Sequence, residues 1–93
     1  MMSFISGDEA RKLISEGALL LDVRTPNEYA ERHAPGAVNI PVQEIVQRVG
    51  ECGPKERAIV VYCRSGQRSA SALQFLNQVG YAKVFNLGSI DRW

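Results

Sequence analysis

One histidine and two cysteines are the whole stock of imidazole and thiol in this 93-residue sequence. That is too little for a structural zinc site, and Cys52 and Cys63 alone do not make a disulfide framework. Excess charge is missing too. Eleven Lys and Arg stand against ten Asp and Glu, and the resulting +1 gives no electrostatic case for nucleic acid or an anionic membrane surface. No apolar run is long enough to span a bilayer, and the opening Met1-Met2-Ser3-Phe4-Ile5-Ser6 lacks the layout of a signal peptide. Internal repeats, linkers and low-complexity tracts are absent as well. What is there, 45% hydrophobic and 23% charged, describes an ordinary globular chain, expected to form one domain over residues 1–93. A cytoplasmic, reducing setting is expected, and it would keep a working thiol free. No metal and no cofactor are expected.

The apolar pattern alternates between strands and helices. Ser6-Gly7-Asp8-Glu9 reads as a capping box opening a helix to about Ser15, with Ala10, Leu13 and Ile14 on one face, and Gly17 ends it. The run Ala18 to Val23 is a strand buried on both faces. Thr25-Pro26-Asn27-Glu28 is a second capping box with proline at the first helical position, predicting a helix from Pro26 to Glu31. Pro35-Gly36 turns into a short strand at Ala37–Ile40. Val42, Ile45, Val46 and Val49 have helical spacing up to Gly50, and Gly50–Lys55 reads as loop. A strand at Arg57–Tyr62, a helix from Ser69 to about Val79 ended by Gly80, and a last strand at Lys83–Leu87 complete the chain. This alternation predicts an α/β fold: a central, mostly parallel sheet of about four to five strands with helices on both faces. Ligands of such sheets bind beyond the carboxyl ends of the strands, where Asp22-Val23-Arg24 and Cys63 both fall.

Cys63 is the most informative residue. It follows Ala58-Ile59-Val60-Val61-Tyr62 and opens Cys63-Arg64-Ser65-Gly66-Gln67-Arg68-Ser69, which feeds a helix. Loop amides, a helix N-terminus and two arginines near one thiol favour its ionised form. A buried structural cysteine is the plain alternative, but a basic loop containing glycine does not suit it.

Four motifs in order resemble the rhodanese-like domain family, and together they run nearly end to end. They are Leu21-Asp22-Val23-Arg24 with Glu28-Tyr29; His33-Ala34-Pro35-Gly36-Ala37-Val38-Asn39-Ile40-Pro41; Val61-Tyr62-Cys63-Arg64-Ser65-Gly66-Gln67-Arg68-Ser69; and Gly80-Tyr81 with Val84 through Trp93. Three departures accompany them. Arg32 stands where the family often has glycine, Gly88-Ser89 replaces a glycine pair, and the sequence stops at Trp93 where family members usually continue. The resemblance implies a rhodanese-like three-layer sandwich. It also implies a sulfurtransferase that takes a sulfane sulfur from thiosulfate, a small sulfur-containing anion, or a persulfide donor. The sulfur would rest on Cys63 as a persulfide and pass to cyanide or a thiol acceptor.

In that chemistry the thiolate attacks, and the loop amides stabilise it and the persulfide. Arg68 is expected to stabilise the loop and an anionic donor, and Arg64 to guide anions at the rim. Gly66 permits a backbone angle or a close approach; Ser65, Gln67 and Ser69 add hydrogen bonds. Ser69 is also the best candidate for capping the following helix. Asp22 and Arg24 are supporting residues, either binding substrate or bracing the loop and nearby turns. Glu28 is expected to cap its own helix, His33 to hydrogen-bond within its turn, and Cys52 to be an incidental surface thiol. Cysteine phosphatases and arsenate reductases are disfavoured by loop length: their arginine comes six positions after the cysteine, whereas Arg68 comes five after Cys63. A relay module handing persulfide sulfur to a protein acceptor is the second reading, and a catalytically dead regulatory domain is the third.

Overall fold

The computed structural model describes residues 3–93. Strands β1 (Leu19–Asp22), β2 (Val38–Asn39), β3 (Ile59–Cys63) and β4 (Val84–Ser89) form one sheet in the order β2-β1-β3-β4, with every pairing parallel. Helices α1 (Gly7–Ser15), α2 (Pro26–Glu31), α3 (Ile45–Arg48) and α4 (Gln67–Gln78) cover it, and a 3-10 turn closes the chain at Ile90–Arg92. No helix of the described residues is long and apolar enough to cross a membrane.

Both capping boxes form. Ser6 accepts the Glu9 amide while Glu9 accepts the Ser6 amide, and Thr25 and Glu28 do the same, so α1 and α2 start where the sequence places them. The period-two alternation of the strands then sorts side chains onto two cores. Leu19, Leu21, Ile59, Val61 and Cys63 meet Ile45, Ala72 and Leu76 on the α3/α4 side. Leu20, Val60, Tyr62 and Leu87 meet Ala10 and Ala34 on the α1/α2 side, where Trp93 also packs. The result is the expected helix–sheet–helix sandwich.

Three segments differ from the sequence reading. The helix expected near residues 42–50 is a 3-10 turn at Val42–Glu44, one α-helical turn, and a second 3-10 turn at Val49–Cys52. Val42 with Ile45 and Val49 with Cys52 are each spaced by three, the 3-10 repeat, and this turns Cys52 inward. Cys52, expected on the surface in a loop, is fully buried in the α3/α4-side core. α4 begins at Gln67 rather than Ser69. β4 runs two residues beyond Leu87 and carries a bulge: Val61 pairs with Asn86 but Tyr62 pairs with Gly88, leaving Leu87 without a partner position.

Candidate active site

Cys63 ends β3, and alternation places its side chain on the α4 side of the sheet. Only Arg64 and Ser65 separate it from Gly66, the residue just before α4. Gly66 adopts φ +99°, a left-handed conformation natural to glycine, and the Phe4 ring stands where a side chain would go. A Cβ there would stand 2.8 Å from Phe4 Cε1. In this conformation the Gly66 N–H donates to Cys63 Sγ at 3.0 Å, and Ser69 Oγ lies 3.4 Å from the same sulfur.

The helix start lacks a capping side chain. Cys63 Sγ lies at this end of the helix, met by the Gly66 N–H and the Ser69 hydroxyl, and the Ser65 and Ser69 amides also favour its anion. Ser69 is therefore not the cap the sequence suggested. It lies in the first turn of α4, fully buried, with its hydroxyl on Cys63. The loop is too short to leave Ser69 outside the helix. Burial pushes the Cys63 thiol up, but the Ser69 hydroxyl and the amides of Ser69, Gly66 and Ser65 outweigh it, and the net shift is downward. At Cys52 burial is joined by the nearby Glu51 charge, and the thiol is pushed up despite Arg57 and Lys55.

The two loop arginines part company. Arg64 is exposed, as are Ser65 and Gln67. Arg68 reaches across to α2 and makes a two-pronged pair with Glu28, at 2.7 and 3.2 Å. Glu28 serves its own capping box through the same Oε1, and the Arg68 guanidinium, with Thr25, holds its carboxyl down at about 2 against the opposing effect of burial. The cap was legible in the sequence. The partner forty residues away was not, because nothing local encodes that meeting.

Asp22 and Arg24 form a buried pair on the opposite face of the sheet, with Arg24 Nη2 2.7 Å from Asp22 Oδ2. Tyr62 hydroxyl donates to Asp22 Oδ2 at 2.7 Å and accepts from the Ala34 amide at 3.1 Å. Arg24 also donates to the Arg32 carbonyl at 2.7 Å, and Asn39 donates to the Asp22 and Arg24 carbonyls. The pair thus ties β1 to the turn after α2 and to Tyr62, the neighbour of Cys63. Burial is the main reason the Tyr62 phenol titrates well above its usual range, so it stays protonated and keeps donating. His33 stays in its own turn, with Nδ1 2.7 Å from the Tyr29 carbonyl and its ring stacked on Tyr29.

A cleft of about 290 Å³ opens at this end of the sheet, lined by Arg24, Glu28, Glu31, Arg32, Arg64, Ile90 and Asp91. Arg32 pairs with Asp91 across it. A larger groove on the flank of α4 is lined by Ser3, Ala70, Leu73, Gln74, Asn77, Gln78 and Asn86, none of them ionisable. The smaller, charged cleft is the one beside the Cys63 loop, with Arg64 of that loop in its lining. Tyr62 and Asn86 were not singled out from the sequence. A tyrosine just before the cysteine and an asparagine inside an apolar strand are the signals that could have drawn attention to them.

A parallel α/β sandwich with a sulfur held in the amide cradle of a strand-to-helix loop defines the class. Residues 6–93 match the Rhodanese-like domain family, and the chain belongs to it. A protein named Sulfurtransferase from Allochromatium vinosum is 46% identical over 80 residues, covering 85% of this chain and 74% of that one. Thiosulfate sulfurtransferase PspE of Escherichia coli is 38% identical over 71 residues, covering 75% of this chain and 68% of its own length. The structure of the human single-domain sulfurtransferase TSTD1 superposes with a TM-score of 0.82 at 30% identity, covering 100% of this chain and 96% of that one.

Proposed function

We propose that this protein is a sulfurtransferase whose Cys63 thiolate accepts a sulfane sulfur, from thiosulfate or a persulfide donor, and surrenders it to cyanide or a thiol. The carrying observation is the convergence on Cys63 Sγ of the Gly66 amide at 3.0 Å and the Ser69 hydroxyl at 3.4 Å at a helix N-terminus. With thiosulfate the thiolate attacks the outer sulfur, the S–S bond breaks and sulfite leaves with the electron pair. The acceptor then attacks the terminal sulfur and Cys63 departs as thiolate. No general base is required once the thiol is ionised, so His33, held in its own turn, has no part in the transfer. The nest of amides stabilises the anion at each stage, with about 3 kcal/mol per pre-organised donor as the scale for a developing charge.

The engagement of Arg68 with Glu28 favours this reading over phosphoryl chemistry. A phosphatase loop needs its guanidinium over the bound phosphate, and here the fork is committed to a carboxylate. Within the cleft, Arg64 is proposed as the cation that meets an anionic donor, because the other two arginines of its lining, Arg24 and Arg32, each have a carboxylate partner. The shared family and relatives bearing sulfurtransferase names support the same assignment.

The test is turnover of thiosulfate with cyanide, and with a small thiol, by wild type and Cys63→Ser. Wild type is expected to turn over, and the variant to lose at least about a thousandfold in kcat/KM with its thermal unfolding little changed. Substantial activity in folded Cys63→Ser would overturn the assignment. Sulfur loading on Cys63 with negligible release to either small acceptor would instead point to relay of the sulfur to a protein acceptor.

A further inference from the structure

Asn86 is a buried polar residue in β4 that the transfer chemistry does not use directly. Its side chain lies on the α4 side of the sheet and reaches Gly66, the residue just before the helix. Nδ2 donates to the Gly66 carbonyl at 3.3 Å, and Oδ1 accepts the Gly88 amide at 2.8 Å. The orientation of the amide is fixed by chemistry, since a carbonyl only accepts and a backbone N–H only donates. The Gly66 carbonyl also accepts the Ala70 amide at 3.0 Å, so it is held from two directions. Only the two soft torsions of Gly66 connect that held carbonyl to the N–H aimed at Cys63 Sγ, 3.0 Å away.

The surroundings support the strut. The β4 bulge, at a Gly88 with φ +90°, supplies the amide that orients Asn86. A Cβ on Gly88 would stand 3.0 Å from the Phe4 ring, the same ring that packs on Gly66. The backbone of Asn86 is itself held, its carbonyl accepting the Ile5 amide at 2.9 Å.

We infer that Asn86 is a positioning residue for the sulfur cradle: it locks the left-handed Gly66 peptide so that its amide stays on the Cys63 sulfur. The inference rests on the reading of Cys63 as the working thiolate. Charged groups do not offer a competing explanation. β3 and β4 carry none on this face, Arg64 is exposed, and Arg68, whose charge reaches the sulfur, is held by Glu28 rather than by Asn86.

The experiment is an NMR titration of the cysteine Cβ resonances in isotopically labelled protein, comparing wild type, Asn86→Leu and Asn86→Ser. Leucine keeps the volume and loses both hydrogen bonds. Serine keeps a polar group near Gly88 and cannot span to Gly66, so it serves if the leucine variant does not fold. Cys52, a buried core thiol outside the Cys63 loop, reports an intact fold by an unchanged resonance. Wild-type Cys63 is expected to titrate below an ordinary thiol, and loss of the strut to raise its midpoint by about 0.5–1 pH unit. A lowered wild-type midpoint that stays put in a folded variant would overturn the inference alone. An ordinary wild-type midpoint would overturn the thiolate reading and this inference with it.

Discussion

At Cys63 two effects of opposite sign meet. Full burial disfavours a charged sulfur, and the Ser69 hydroxyl together with three backbone amides favours it. The hydrogen bonds win because they are already aimed and cost no reorganisation when charge forms. After burial itself, the Ser69 hydroxyl has the largest influence and is first among the groups that favour the anion, so its removal should be visible. In Ser69→Ala the folded midpoint of Cys63 rises, and less thiolate exists at any pH below it. With about 1.5 kcal/mol for a hydrogen bond to a charged group, the shift is about 1 pH unit, and below both midpoints the sulfur-loading rate falls about tenfold. The pH profile of loading checks the sign: the variant's rising limb should move to higher pH, with the rate recovering at the alkaline end. Equal loss at all pH values would mean the hydroxyl acts elsewhere.

The element that matters most is the junction of β3 and α4. The cysteine, the basic loop and the following helix were all legible in the sequence, because each leaves a local signature: an apolar run, a glycine, helical spacing. The two-residue shift in the start of α4 was not. Ser69 looks like a cap to any local reading, but it stands in the first turn of α4 with its hydroxyl on Cys63 Sγ. The Glu28–Arg68 tie between α2 and α4 was invisible for a different reason, being a contact between residues far apart in sequence. It carries its own pH dependence. The folded carboxyl of Glu28 is lowered from 4.5 to about 2, so its contribution is complete above the unfolded value and fades as pH falls from about 4.5 through 2. Because the pair is partly solvated, the effect is set at about 1–2 kcal/mol. Urea unfolding across that window should show wild type losing more stability than Glu28→Gln, which lacks the titrating group. Parallel curves would remove the tie from the stability account.

For the whole molecule, the parallel sheet divides chemistry by face. Odd-numbered β3 residues place Cys63 with α4, while Tyr62 lies with Asp22 and Arg24 on the other side, so the proposed sulfur carrier and the buried ion pair are separated by one residue of alternation. The two-sided apolar strands made this sandwich readable from sequence. The α3 region was less so, since spacings of three fit a 3-10 turn as well as a helix, and Cys52 was consequently misplaced on the surface. Its burial predicts a packing role: Cys52→Ala should lower stability by about 1 kcal/mol and leave sulfur transfer unchanged. Chemical denaturation and turnover measured on the same preparation check both halves. A large loss of turnover at intact stability would instead assign Cys52 a part in the reaction.

The central claim is that Cys63 carries the sulfur, and intact-protein mass tests it most directly. Wild type incubated with thiosulfate should gain the mass of one sulfur atom and lose it on adding cyanide, while Cys63→Ser gains nothing. The cyanide step is needed because a sulfinic acid adds nearly the same mass and is not reversed this way. Folded wild-type protein that takes up no sulfur from thiosulfate or from a small persulfide, or an adduct that persists in Cys63→Ser, would contradict the account.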